Sequence, residues 1–273
     1  MSDAPFQLRP TDPAPASCKL CGGVARLFGV TDFNRSCEEI RGNFLPLAGI
    51  PIYYRRCAAC GLVYTEAFDD WSHADFEAHI YDADYGAVDP DYEEVRPTNN
   101  AALVARMFGQ AAGGLDVLDY GGGNGVLASR LKAAGFPSAE TYDPFHPAHR
   151  TRPDRQFDLV TCFETLEHMP DPTAGAADIA ALLKPDGLLF FSTLVQPADF
   201  DAQRMQWWYI GPRNGHVTMH SRASLKALWA GHGLQLASFN DNMHLAFRTL
   251  PPFAQHLIRP VAASQEAGQA AAT

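Results

Sequence analysis

Short apolar runs alternate with helix-spaced apolar positions along the second half of the chain. Residues 115–120, 139–143, 157–163 and 188–193 read as strands, with helices at 125–134 and 173–183 between them. The run Phe157-Asp158-Leu159-Val160-Thr161-Cys162-Phe163 is apolar at most positions, as expected of a strand covered on both faces by helices. A helix at 98–109 leads in, its Leu103, Met107 and Phe108 on one face. After a long loop come a helix at 221–231, with Ser221 as N-cap, and two strands, 234–239 and 244–250, joined by Asn240-Asp241-Asn242. This alternation predicts an α/β fold over 98–255.

The first half has a different texture. Residues 18–64 carry short strand-like fragments at 24–28 and 52–56, punctuated by glycine and proline, and suit a small domain too poor in core to fold without a metal. Residues 65–97 form an acidic, aromatic connector with Trp71, Phe76, Tyr81, Tyr85 and Tyr92. Residues 1–17 and 256–273 are expected to be disordered tails.

Length and charge narrow the function. The 273 residues, 47% apolar, suffice for one α/β domain and a small appendage. A net charge of −10 disfavours broad binding to a phosphate backbone. There is no bilayer-length apolar run, and the first residues lack a signal peptide's basic start and apolar middle, so a cytoplasmic location is expected. Of six cysteines, four form the knuckles Cys18-Lys19-Leu20-Cys21-Gly22 and Cys57-Ala58-Ala59-Cys60-Gly61. Four thiolates at that spacing satisfy tetrahedral Zn²⁺ with no open position, which is a structural site. Cys37 and Cys162 fall outside it.

The candidate ligand loop is Asp119-Tyr120-Gly121-Gly122-Gly123-Asn124-Gly125, an acid at a strand end followed by alternate glycines, with Asp143 closing the next strand. Such a loop brings backbone N–H groups and a helix N-terminus to a polar, partly anionic molecule, and Asp143 is placed to accept from two ribose hydroxyls. Gly123 to Ala128 also fits a dinucleotide G-x-G-x-x-A pattern, but that register puts Asp119 and Gly121 inside a strand.

The order of the motifs carries more information than any one of them. The glycine loop, Asp143, the strand 157–163 followed by Glu164-Thr165-Leu166-Glu167-His168, and Lys184-Pro185-Asp186-Gly187 before a strand together resemble the class I S-adenosylmethionine-dependent methyltransferases over roughly residues 98–250. The resemblance implies a Rossmann-like sheet with helices on both faces and an antiparallel strand from the closing pair. It also implies S-adenosylmethionine held by Asp119, Gly121, Gly123, Asn124, Gly125 and Asp143, with Phe163 and Glu164 beside the sulfonium. Only thirteen residues separate Asp143 from Phe157, and Pro144, Pro147 and Pro153 oppose a helix there, so the usual third strand and its adenine contact are expected to be missing. Pairing a four-cysteine zinc module with this domain resembles, in part, the deoxysugar C-methyltransferases.

Methyl transfer needs alignment, dryness and sometimes a base. His216 is the first candidate base and His220 the second, both in the loop leaving the carboxyl edge of the sheet; either histidine could instead tie that loop to backbone carbonyls. Tyr85, His168, Trp208, Tyr209 and Arg213 are candidates to contact the acceptor. A small-molecule acceptor, O- or C-methylated, is the expected substrate. The other readings are an RNA methyltransferase docking through Lys19, Arg26, Arg35, Arg41, Arg55 and Arg56, or a non-catalytic cofactor-binding partner.

Overall fold

The computed structural model describes residues 14–258. Its first sheet is antiparallel and carries both cysteine knuckles. Strands β1 (Ala16–Ser17), β2 (Val24–Asp32), β3 (Pro51–Cys57) and β4 (Val63–Thr65) pair in sequence order. Ala16 and Ser17, expected in a tail, instead pair with Ala25 and Val24, because the first knuckle turns the chain back on itself. The connector then folds as two short helices, α1 (His73–His79) and α2 (Tyr85–Val88), before the longer α3 (Val95–Phe108). A Ser72–Asp75 capping box starts α1.

The second sheet has six strands: β5 (Asp116–Tyr120), β6 (Ser138–Tyr142), β7 (Phe157–Phe163), β8 (Leu183–Ser192), and, later in the chain, the closing pair. Helix α4 (Val126–Ala133) links β5 to β6, and α5 (Pro172–Leu182) links β7 to β8. Proline at the first position of α5 and the Asp171 side chain on Ala174 N fix that helix start. Strand β8 begins five residues before the expected 188. Gly187 makes this possible, since a Cβ there would lie 2.9 Å from the Phe157 carbonyl oxygen. The long excursion that follows contains α6 (Phe200–Gln203) and β9 (Thr218–Met219). Helix α7 (Arg222–Ala230), capped by Ser221 as expected, then leads to β10 (Gln235–Ser238) and β11 (Met243–Phe247).

The sheet order is β10-β11-β8-β7-β5-β6. β11 runs antiparallel between β10 and β8, while β5, β6, β7 and β8 are mutually parallel. No strand lies between Tyr142 and Phe157, so β6 is an edge and the third strand is absent as expected. One face is packed by α3 and α4 through Val104, Phe108, Leu127 and Leu131, the other by α5 and α7 through Ile179, Leu225, Leu228 and Trp229.

A third core joins the halves. Phe28, Ile52 and Tyr54 of the first sheet pack with Phe68, Phe76, Tyr85, Trp207, Tyr209 and Val217. Residues 18–64 therefore share their core with the connector and with the loop before β9. β9 itself pairs with β4, completing the first sheet with a strand from the second half. No helix among the described residues is long and apolar enough to cross a membrane.

Candidate functional site

Three strand ends converge at the carboxyl edge of the second sheet. β5 lies between β6 and β7, so the direction of the crossovers reverses there, which is where open α/β sheets bind ligands. After β5 the loop glycines Gly121, Gly123 and Gly125 take φ of 73°, 55° and 81°. A Cβ on Gly121 would meet Thr165 Oγ1 at 2.5 Å and one on Gly122 the Asp119 carboxylate at 2.0 Å, whereas one on Gly123 would meet no atom of the described residues within 4 Å. The loop is thus packed tightly below and open above Gly123.

Asp143, following β6, is buried beside this opening. Its carboxylate accepts from Gly123 N and from Phe145 N, each at 2.8 Å. Two lone-pair directions remain for further donors. Asp119 lies beneath the loop: Thr161 Oγ1 donates to Oδ1 at 2.8 Å, and Oδ2 is buried without a hydrogen-bond partner among the described residues. Burial pushes Asp119 up to about 7, with the Thr161 hydroxyl working against it. An orphaned carboxylate oxygen below and an open glycine above fit a ligand carrying an amino group and ribose hydroxyls, as S-adenosylmethionine does. Asn124 is turned aside, its Nδ2 donating to Glu93 O at 3.0 Å. That contact brings the start of α3 to the loop and, with it, Arg96. The Arg96 guanidinium pairs with Asp89 and faces Glu164. Glu164, after β7, holds φ of 50°; its N–H donates to Ser192 Oγ at 2.9 Å, and that hydroxyl donates to Glu164 Oε1 at 2.6 Å. Phe163 packs edge-on against Phe190 at 5.3 Å.

Beside this loop, joined to it through Phe145 and Thr165, is an aromatic and histidine-rich wall. His168 closes the 3-10 turn Leu166–His168, half-buried, with Tyr81 Oη 3.2 Å from its Nδ1. The Tyr81 ring lies 5.1 Å from Phe145, two residues beyond Asp143. Burial takes His168 well below the usual imidazole range, and the neighbouring His216 and Arg96 add to the effect. Behind it, His216 Nδ1 donates to Tyr209 O at 2.7 Å, and burial brings His216 down to about 4. The two imidazoles are 5.0 Å apart. Glu167 is fully buried: Tyr209 Oη donates to Oε1 at 2.5 Å, and burial, reinforced by Glu164, pushes the carboxyl up to about 8.

Several expected site residues have other duties. His216 and His220 do not share an open face, because β9 is only two residues long and both rings turn inward. His220 is fully buried beside His244, 3.4 Å from Ser224 Oγ, and stands apart from the wall. Tyr85 is buried, its hydroxyl donating to Asn214 O at 3.3 Å. Arg213 is spent internally, donating to both oxygens of Asp82 at 3.0 Å and to Ile80 O at 2.8 Å. Tyr209 is buried on Glu167; Trp208 is partly exposed, 5.4 Å from the Tyr209 ring. Sequence reading missed Tyr81 and Arg96. The aromatic connector held the signal for Tyr81, but nothing local distinguished it from Tyr85.

The four knuckle cysteines converge. Cys18 and Cys60 sulfurs are 3.8 Å apart, those of Cys21 and Cys57 3.5 Å. A tetrahedron with zinc–sulfur bonds of about 2.3 Å has edges of about 3.8 Å, so the set fits Zn²⁺. Burial works to raise the Cys57 thiol, but the N–H groups of Cys60 and Ala59 and the neighbouring thiols outweigh it and bring it down to about 7. Of the six cations nearby, Lys19, Arg35 and Arg55 are held inside by Asp69, Met205 O and Glu66 respectively; Arg56 is half-buried and paired with Asp201, Arg41 is exposed and paired with Glu38 and Asp91, and Arg26 is exposed.

The parallel sheet with its antiparallel penultimate strand, the glycine loop at the reversal point and the acid on the next strand define a Rossmann-like methyltransferase fold. Residues 92–238, more than half of the chain, match the family model described as a methyltransferase domain. The chain belongs to that family. It is similar to the ubiquinone biosynthesis O-methyltransferases of Thiobacillus denitrificans, at 35% identity over 30% of this chain and 45% of that protein, and of Xanthomonas euvesicatoria, at 41% identity over 34% and 41%. The chain thus spans less than half the length of these curated relatives. Among solved structures, an O-methyltransferase family protein from Burkholderia thailandensis matches with a TM-score of 0.48, 14% identity and coverage of 67% of this chain and 64% of the other. An amino pentose methyltransferase from Micromonospora echinaspora matches at 0.40 and 18%, covering 56% and 92%.

Proposed function

We propose that the protein transfers the methyl group of S-adenosylmethionine to a small-molecule acceptor. The observation that carries this reading is the Asp143 carboxylate, fixed by two backbone N–H groups beside the open Gly123 at the reversal point of the sheet. Asp143 would take the ribose hydroxyls, the loop N–H groups from Gly121 to Gly125 the methionine carboxylate with Arg96 as charge complement, and Asp119 the amino group through the loop or a water. The cofactor's sulfonium supplies an activated methyl group; the protein has to align the acceptor with it and exclude water.

The wall beside the loop suits a hydroxyl acceptor. The relatives' O-methyltransferase activity favours oxygen over carbon, and a sugar, a nucleotide-linked sugar or another natural-product intermediate remains within the acceptor class. The base moves from His216 and His220 to His168. Of the three histidines it is the one that keeps some exposure, burial keeps it neutral at pH 7, and Tyr81 Oη lies on its Nδ1, so the Tyr81–His168 pair is the route assigned to the acceptor's proton. His216 would stiffen this wall from behind. The four cysteines would hold structural Zn²⁺ in a cytoplasmic enzyme.

Calorimetry with S-adenosylhomocysteine, followed by a labelled-methyl screen over phenolic and sugar acceptors, tests the reading. Absence of S-adenosylhomocysteine binding by the folded chain would sink it. Binding without turnover of any acceptor would leave the non-catalytic partner reading standing. The RNA reading loses support from the inward turn of Lys19, Arg35 and Arg55; RNA affinity falling steeply with salt would revive it.

A further inference from the structure

The cysteine knuckles are tied to the acceptor wall by an unbroken set of hydrogen bonds. Lys19, inside the first knuckle, has three N–H donors and uses all of them: on Thr65 O at 2.9 Å, on the Asp69 carboxylate, and on Pro170 O at 3.0 Å, two residues beyond His168. In the second knuckle, Cys60 O accepts from Ser221 Oγ at 2.6 Å, and Gly61 O accepts from Gln196 Nε2 at 2.8 Å, which also donates to Met219 O at 3.0 Å.

Strand β9 lies between metal site and wall. One edge pairs with β4, Val63 with Met219 and Tyr64 with Thr218, and is extended by Thr65 N donating to Val217 O at 3.0 Å. The other edge meets the His168 turn: Val217 N donates to Glu167 O at 2.8 Å, and Thr218 Oγ1 donates to Leu166 O at 3.0 Å. Tyr54 of β3 adds its hydroxyl to His216 O at 2.8 Å. A strand of two residues has little order of its own. Its position, and that of Glu167, His168 and His216 around it, is inherited from β3, which ends on Cys57, and from β4, which follows the turn that carries Cys60.

We infer that the four-cysteine site is a positioning element of the methyl-transfer site: the metal holds β3, β4 and Lys19, and these hold the wall that carries His168. Lys19 is a positioning residue. The inference rests on the reading of the cysteines as a zinc site. It assigns the cofactor loop no such dependence, because that loop stands on β5 and β6 and shares no hydrogen bond with either knuckle among the described residues.

Hydrogen exchange on the full-length, zinc-loaded chain tests this, before and after chelation with zinc release followed by a colorimetric indicator. Exchange at 166–170 and 216–219 should rise about tenfold or more, while β5 and β7 keep their protection. Affinity for S-adenosylhomocysteine should stay within about threefold of its starting value, because the loop and Asp143 are untouched. Lys19→Met, with zinc retained, should loosen 166–170 and the 65–69 segment that Lys19 also holds while β5 and β7 stay protected, and Lys19→Arg should restore part of the protection. A zinc-loaded chain whose wall stays protected after zinc leaves overturns the inference, as does loosening spread evenly over β5 and β7, or a silent Lys19→Met. A purified chain without zinc sinks the reading of the cysteines instead, so the two failures are distinguishable.

Discussion

Asp143→Ala is the most direct test of the cofactor site. The side chain accepts from Gly123 N and Phe145 N at 2.8 Å and retains capacity for two hydroxyl donors. Hydrogen bonds to a charged partner contribute about 1.5–3 kcal/mol each, so losing the ribose pair removes about 3 kcal/mol even at the low end. At 1.4 kcal/mol per tenfold, S-adenosylhomocysteine should bind about 100-fold more weakly. The assay is calorimetry at 25 °C, with thermal unfolding of the ligand-free variant run alongside, because Gly123 N and Phe145 N also lose their acceptor. Asp143→Asn keeps an acceptor oxygen for one of those N–H groups and separates the two effects: affinity should still fall about tenfold with a smaller loss of stability. A folded Asp143→Ala protein that binds within about threefold of wild type would refute the reasoning, since no other side chain is assigned to the ribose.

The neighbouring glycines should part company. Gly122→Ala drives a Cβ to 2.0 Å from the Asp119 carboxylate and should lower thermal stability, whereas Gly123→Ala meets no atom of the described residues and, beyond a left-handed backbone cost of about 1–2 kcal/mol, should chiefly weaken cofactor binding. Equal effects of the two on both measurements would contradict the open cradle. With an acceptor in hand, Tyr81→Phe and His168→Gln should each cut kcat by about 100-fold and leave S-adenosylhomocysteine affinity within about twofold; an unchanged pH–rate profile in His168→Gln would remove it as the base. His220, brought down to about 4 mainly by burial with His244 adding to it, gives stability that is present above its unfolded value near 6.5 and lost as pH falls toward 4. At pH 5 that loss is about 2 kcal/mol, so His220→Asn should be destabilised at pH 7 yet lose about 2 kcal/mol less than wild type between pH 7 and pH 5. Comparing variant with parent cancels the opposing titration of Asp119 and Glu167, which are pushed up to about 7 and about 8; parallel curves in chemical denaturation would refute it.

The sequence by itself determined whatever depends on local backbone chemistry. A left-handed turn demands glycine, so the 119–125 loop and its register were legible; two converging cysteine knuckles were announced by Cys-x-x-Cys-Gly; a strand covered on both faces demands a run such as 157–163. The prolines between Asp143 and Phe157 even announced the missing strand. Tertiary structure alone decided which side chains face the site. Tyr81 and Tyr85 sit four residues apart in one aromatic segment, yet only the first reaches a ring nitrogen of His168. His216 and Arg213 read as free chemical groups until Tyr209 O and Asp82 claim them. The pairing of β4 with β9, far along the chain, is of the same kind. Burial and pairing are properties of two distant segments at once, and a one-dimensional pattern records only one of them at a time.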